Sequence, residues 1–109
     1  MNCIFCRIAK GEINARVIYE NDKAMAFYDI NPQAPIHILI IPKRHYENLF
    51  EEIDREDTMA ILDCVKSVVK SLNIQHYRLV SNAGKGAGQE VFHLHLHLLA
   101  GREFPAKTV

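Results

Sequence analysis

His93-Leu94-His95-Leu96-His97-Leu98-Leu99 is the stretch on which the fold of this chain turns. Side chains of an extended chain alternate between faces, so His93, His95 and His97 share one face. Leu94, Leu96 and Leu98 share the other and are expected to pack under a helix. Neighbouring imidazoles on one face stand roughly 6.7 Å apart along the strand. Three in a row are costly to bury without partners, so they are not core filler. A solvated strand face would be served as well by threonine or lysine. Two chemical readings compete with it. His-x-His on a strand can supply two metal ligands. An imidazole that is largely neutral near pH 7 is also a ready nucleophile, and flanking histidines can hold it in one tautomer.

The preceding residues favour chemistry at phosphorus. Gly84, Gly86 and Gly88 punctuate the loop from Asn82 to Gln89 and let its backbone present N–H groups to anionic oxygens. It is not a P-loop, since Gly86 rather than Ser or Thr follows Lys85. It is not a dinucleotide fingerprint, since a strand follows instead of a helix. Alone, such a loop is a plain hairpin connection. Directly before three histidines it becomes a candidate oxyanion site.

Working outward, Val91 to Leu99 is the last of five expected strands. The others are Ala15 to Glu20, Ala24 to Tyr28, Ile36 to Ile41 and Tyr77 to Ser81. Asn21-Asp22-Lys23 is a turn, and the prolines make Asp29 to Pro35 a loop. Met59, Leu62, Val65, Val69 and Leu72, widened by Ile61 and Val68, mark a long helix that Asp54 or Asp57 can cap. Cys3 to Lys10 is a short helix ended by Gly11. Strands joined mostly by tight turns imply a five-stranded antiparallel sheet with one long and one short helix. The class is α+β, without the strand-helix alternation of a doubly wound fold.

A chain of 109 residues fits one domain, 1–109. The formal net charge is zero and no basic run exceeds Lys43-Arg44, which argues against nucleic acid as the partner. A single nucleotide needs only a few local donors and remains open. Apolar runs such as Ile38-Leu39-Ile40-Ile41 are too short to cross a membrane, and the first residues do not have the pattern of a secretory signal. Three cysteines, an odd number, do not form a disulfide framework, so a reducing cytoplasm is the expected location.

With these residues in place, the chain resembles the histidine-triad (HIT) family, in particular its Hint branch of purine nucleoside phosphoramidases. The resemblance runs through Cys3-Ile4-Phe5-Cys6, Phe27-Tyr28-Asp29-Ile30, Pro32-Gln33-Ala34-Pro35-Ile36-His37, Ile41-Pro42-Lys43-Arg44-His45, Gly88-Gln89 and the triad with its Gly101-Arg102 tail. It implies a HIT-like fold and hydrolysis of AMP- or GMP-linked amine or acyl groups through a nucleotidyl-histidine. By this resemblance His95 is the nucleophile, His97 bonds near the phosphate, and His37 reaches the His95 ring or its relay. Asn82 and the backbone of Gly88, Gln89 and Glu90 would hold the phosphate. Phe5, Ile8, Phe27, Asp29 and Ile30 would form the nucleoside pocket, with Asp29 on the ribose hydroxyls. Each apolar member has ordinary core as its alternative, and Asp29 could instead be a turn former. Glu90 departs from a hydroxyl residue found in animal members, and the tail after Arg102 is short and lacks tryptophan.

Cys3-x-x-Cys6 alone is a weak signal, with a redox pair or two buried thiols as alternatives. The resemblance to microbial members implies structural Zn2+ on Cys3, Cys6, His45 and His93, a closed set of two thiolates and two imidazoles. Cys64, on the long helix, is read as core. The family also implies a homodimer, which would cover an unpaired sheet edge. Two other functions stay open: a dinucleoside polyphosphate hydrolase, and a nucleotide-binding scaffold with incidental turnover. A His-x-His metalloenzyme is a further alternative.

Overall fold

The computed structural model of the chain describes residues 2–106. In chain order the elements are α1 (Ile4–Ala9), β1 (Val17–Glu20), β2 (Ala24–Tyr28), β3 (Ile36–Pro42), α2 (Arg55–Ser71), β4 (Arg78–Val80), a 3₁₀ turn (Lys85–Ala87) and β5 (Leu96–Ala100). The five strands form one sheet in the order β1-β2-β3-β5-β4, and every pairing is antiparallel. The expected α+β class and strand count are therefore present.

The two faces of the sheet carry different cores. On one, α2 packs Ala60, Ile61, Cys64, Val65 and Val68 over Ala24, Ala26, Ile38, Ile40, Leu94 and Leu98. On the other, Phe5 and Ile8 of α1 meet Met25, Phe27, Leu39 and Ile41. Alternation along β2 and β3 supplies both cores at once, so these two strands are buried on both sides.

The buried stripe of α2 is rotated from the one the apolar residues suggest. Met59 and Leu62 are 53% and 43% exposed, whereas Ala60 and Cys64 face the sheet. Small side chains at the contact let the helix lie close to the strands. Asp57 is also buried, because the Tyr46 hydroxyl donates to its carboxylate. Asp54 occupies the N-cap position without a capping side-chain bond, and its carboxylate pairs with Arg44 instead.

The last strand is shorter than expected: β5 begins at Leu96 and leaves His93 and His95 outside the ladder. Its partner β3 ends in Pro42, which has no N–H to offer. The Pro42 carbonyl takes the His93 side chain instead, with Nε2 at 2.8 Å. The Leu94 N–H bonds the Tyr46 carbonyl at 2.6 Å. The in-and-out alternation nevertheless persists: Leu94 and Leu98 lie in the α2 core with Leu96 packed against it, and the imidazoles face the α1 side.

Gly101 closes the end of β5. Its φ is +91°, and a Cβ there would stand 2.9 Å from Pro35 Cβ and 3.3 Å from the Ile36 nitrogen. The loop before β3 thus presses directly on the backbone after β5.

Candidate functional site

The histidines are ordered by carbonyls and amides whose roles are fixed. His95 Nδ1 lies 2.7 Å from the His93 carbonyl, which can only accept. Nδ1 therefore carries the proton of the neutral ring, and Nε2 keeps its lone pair. His37 Nδ1 accepts from the Gln33 N–H at 3.0 Å, so His37 carries its proton on Nε2. That Nε2 donates to His97 Nδ1 at 2.9 Å, which leaves the His97 proton on its own Nε2. His37 meets the His97 ring rather than that of His95 among the described residues. The His95 and His97 rings stand edge to face with centroids 4.9 Å apart.

Burial, reinforced by the nearby His95 and His37 rings, pushes the His97 pKa down to about 4. Burial also lowers that of His37, opposed by Asp29, whose Oδ2 is 3.4 Å from His37 Nε2. His37 and His97 are thus neutral near pH 7.

Cys3, Cys6, His45 and His93 form a second cluster, gathered from α1, the segment after β3 and the segment before β5. His93 Nδ1 is 3.4 Å from Cys3 Sγ, 3.5 Å from Cys6 Sγ and 3.2 Å from His45 Nδ1. Cys6 Sγ is 3.3 Å from His45 Nδ1. Tetrahedral Zn2+ with ordinary bond lengths needs S···N edges of about 3.6 Å and an N···N edge of about 3.3 Å. The His93 Nε2–H donates to the Pro42 carbonyl, which directs an Nδ1 lone pair into the cluster. The donor set and its tautomer therefore fit a closed metal centre. Burial holds the His93 pKa at about 4, so the ring is in its ligating, neutral form near pH 7.

Phe5 joins the two clusters. It sits between Cys3 and Cys6 in sequence and packs edge-on against the rings of His93, His95 and Phe27, at centroid distances of 5.9, 5.2 and 5.6 Å. Phe5, Ile8 and Phe27 are all buried in the α1 core. Ile30, by contrast, is 92% exposed. Asp29 serves as the turn former at least: its Oδ1 accepts from the Asn31 N–H at 2.8 Å. Its other oxygen is the one near His37.

In the glycine loop the Gly88 and Gln89 N–H groups bond the carbonyls of Lys85 and Gly84, at 3.0 and 3.2 Å. Glu90 is exposed, and its N–H is not drawn into the loop's own bonding among the described residues. The amide nitrogen of Asn82 lies 4.0 Å from where a Gly88 Cβ would stand. Sequence reasoning missed Gln33, which sets the His37 tautomer, and Asn48, buried beside Gln89. Both act through contacts between distant segments or through the main chain, which leave no local pattern.

A profile of the HIT domain matches residues 10–104. A HIT-like protein of Methanocaldococcus jannaschii is 42% identical over 110 residues, covering 98% of this chain and 84% of that protein. A histidine triad protein from Clostridium difficile superposes with a TM-score of 0.92 at 41% identity, covering 99% of this chain and 97% of that one. A HIT family hydrolase from Legionella pneumophila gives 0.89 at 46% identity, covering 97% and 98%. The site and the fold define a histidine-triad protein; the chain belongs to the HIT domain family.

Proposed function

We propose that this protein is a nucleotide hydrolase of the Hint type, releasing a purine nucleoside monophosphate from an amine or acyl group through a nucleotidyl intermediate on His95. The observation that carries this is the His93 carbonyl on His95 Nδ1, which leaves Nε2 as an oriented, unprotonated nucleophile. Attack forms a bond from Nε2 to phosphorus and breaks the bond from phosphorus to the leaving group. The departing amine takes the proton on His97 Nε2 as a proton from solvent restores that ring to its neutral form. Water then cleaves the nucleotidyl-histidine, and its surplus proton passes to solvent, leaving all three rings neutral as they began. Asn82 and the loop through Glu90 face the phosphate oxygens, Asp29 the ribose, and Phe5, Ile8, Phe27 and Ile30 the base. The likeness to the HIT family hydrolase of Legionella points the same way.

Cys3, Cys6, His45 and His93 would hold Zn2+, which supplies a structural clip between α1 and the sheet and no Lewis acidity at phosphorus. A homodimer in the cytoplasm completes the proposal. It is supported by the open edge of β4 and by the apolar Met59 and Leu62 left exposed on α2.

Hydrolysis of adenosine phosphoramidate by the purified protein and by His95→Ala tests it. The unaltered protein should turn over, and the rate should fall a thousandfold or more in His95→Ala, on the order seen for lost nucleophiles. AMP binding without turnover would favour the scaffold reading. Hydrolysis of diadenosine polyphosphates in preference to the phosphoramidate would favour the polyphosphate hydrolase.

A further inference from the structure

Gln89 stands next to the loop residue whose N–H is left for an anion, yet its own side chain does not face the site. It is 3% exposed, and every polar position of its amide is used. Oε1 accepts from Gly84 N–H at 2.9 Å and from Asn48 Nδ2 at 3.0 Å. Nε2 donates to the carbonyls of Glu47 at 2.7 Å and Val91 at 3.0 Å. These four bonds reach three separate pieces of chain: the start of the glycine loop, its end, and the segment that follows His45. Asn48 is itself 7% exposed, and its Oδ1 accepts from the Phe50 N–H.

The loop needs such an anchor. Gly84 and Gly88 both sit at positive φ, and only one turn of 3₁₀ helix lies between them. Its internal bonds tie Ala87 and Gln89 to Gly84 and Gly88 to Lys85, which fixes the loop on itself but not on the sheet. The Gln89 side chain makes that second connection, to the same segment whose Tyr46 carbonyl holds Leu94 one residue before His95. A glutamine suits the position because it offers two acceptor sites and two donors in one plane.

We propose that Gln89, set by Asn48, is a positioning residue that fixes the end of the glycine loop, so that the Glu90 N–H meets the phosphate without rearranging. Preorganised donors of this kind count because they need no reorientation when charge develops. The inference rests on the phosphoryl-transfer reading above, and deepens it by moving the work of Gln89 from its backbone to its side chain.

Titration calorimetry with AMP and with adenosine tests it, on the metal-loaded protein and on Gln89→Glu, Gln89→Met and Asn48→Ala. Gln89→Glu keeps the two acceptor bonds and loses the donors; Gln89→Met loses all four. AMP affinity should fall roughly tenfold or more in Gln89→Met and in Gln89→Glu, whose second carboxylate oxygen would face the Glu47 and Val91 carbonyls, and less in Asn48→Ala. Adenosine affinity should stay within about twofold, because the nucleoside contacts lie on other elements, and kcat should fall more than KM rises. Equal losses for AMP and adenosine, or no loss for AMP, would overturn the proposal. So would failure of Asn48→Ala and both Gln89 variants to fold, which would make the pair plain scaffolding. An unaltered protein that binds AMP no better than adenosine would instead overturn the phosphate site itself.

Discussion

His37 Nε2 donates to His97 Nδ1 across 2.9 Å, and the Gln33 N–H behind His37 dictates that direction. Three groups on two strands and a loop thus act as one oriented chain ending at His97 Nε2. Removing the middle link should spare the nucleophile and slow what depends on protons. His37→Ala is expected to lower kcat by roughly a hundredfold, the low end of the usual range for acid–base assistance. The nucleotidyl adduct on His95 should still be detectable by intact mass. Loss of the adduct along with turnover would place His37 in the attack step instead.

The same pair predicts how stability follows pH. His97 in the fold takes a proton only near pH 4, whereas the unfolded chain takes one near 6.5. Between those values the unfolded state binds more protons, so stability rises with pH and is lost as pH falls from 6.5 towards 4. The lowered pKa of His37 acts in the same sense. Urea midpoints at pH 7.5 and 5 should differ, and His97→Gln should shrink that difference. An equal pH dependence in variant and parent would remove His97 from the account.

Metal content provides a third test. About one Zn2+ per chain is expected by elemental analysis, and Cys3→Ser with Cys6→Ser should abolish it. Because α1 spans six residues, it has little stability of its own, and its attachment should loosen with the metal. Chelation should therefore lower the melting temperature and expose amides of residues 3–10 to hydrogen exchange. A chelated protein with unchanged exchange there would mean that packing of Phe5 and Ile8 suffices.

Gly101→Ala should be destabilising by about 1–3 kcal/mol, from the positive φ together with the clash on Pro35 and Ile36. Chemical denaturation measures this directly. Gly86→Ala, with open space and no positive φ, is the matched control and should change stability little.

Much of this was legible in the chain. Period-two alternation around the histidines was enough to assign faces, Ala24–Tyr28 was legible as a strand, and Pro42 marked the end of another. The stripe on α2 was less readable, because apolar residues surround it and packing, not hydropathy, chose Ala60 and Cys64 over Met59 and Leu62. The start of β5 could not be read locally, since it depends on His93 leaving the ladder for Pro42 and the cysteines. Gln89 and Asn48 were invisible for a related reason: amides satisfied across forty-one residues look, in sequence, like any surface pair.

From Leu94 to Leu98 every second residue belongs to the core and the residues between them to the histidine cluster. Deleting or inserting one residue between Gln89 and Leu96 would exchange the two sets, pressing imidazoles against α2 and leucines into the pocket. The segment therefore tolerates spelling changes among its apolar letters but no change of metre. The core and the histidine cluster are written here on a single line, and a frame error in one is an error in both.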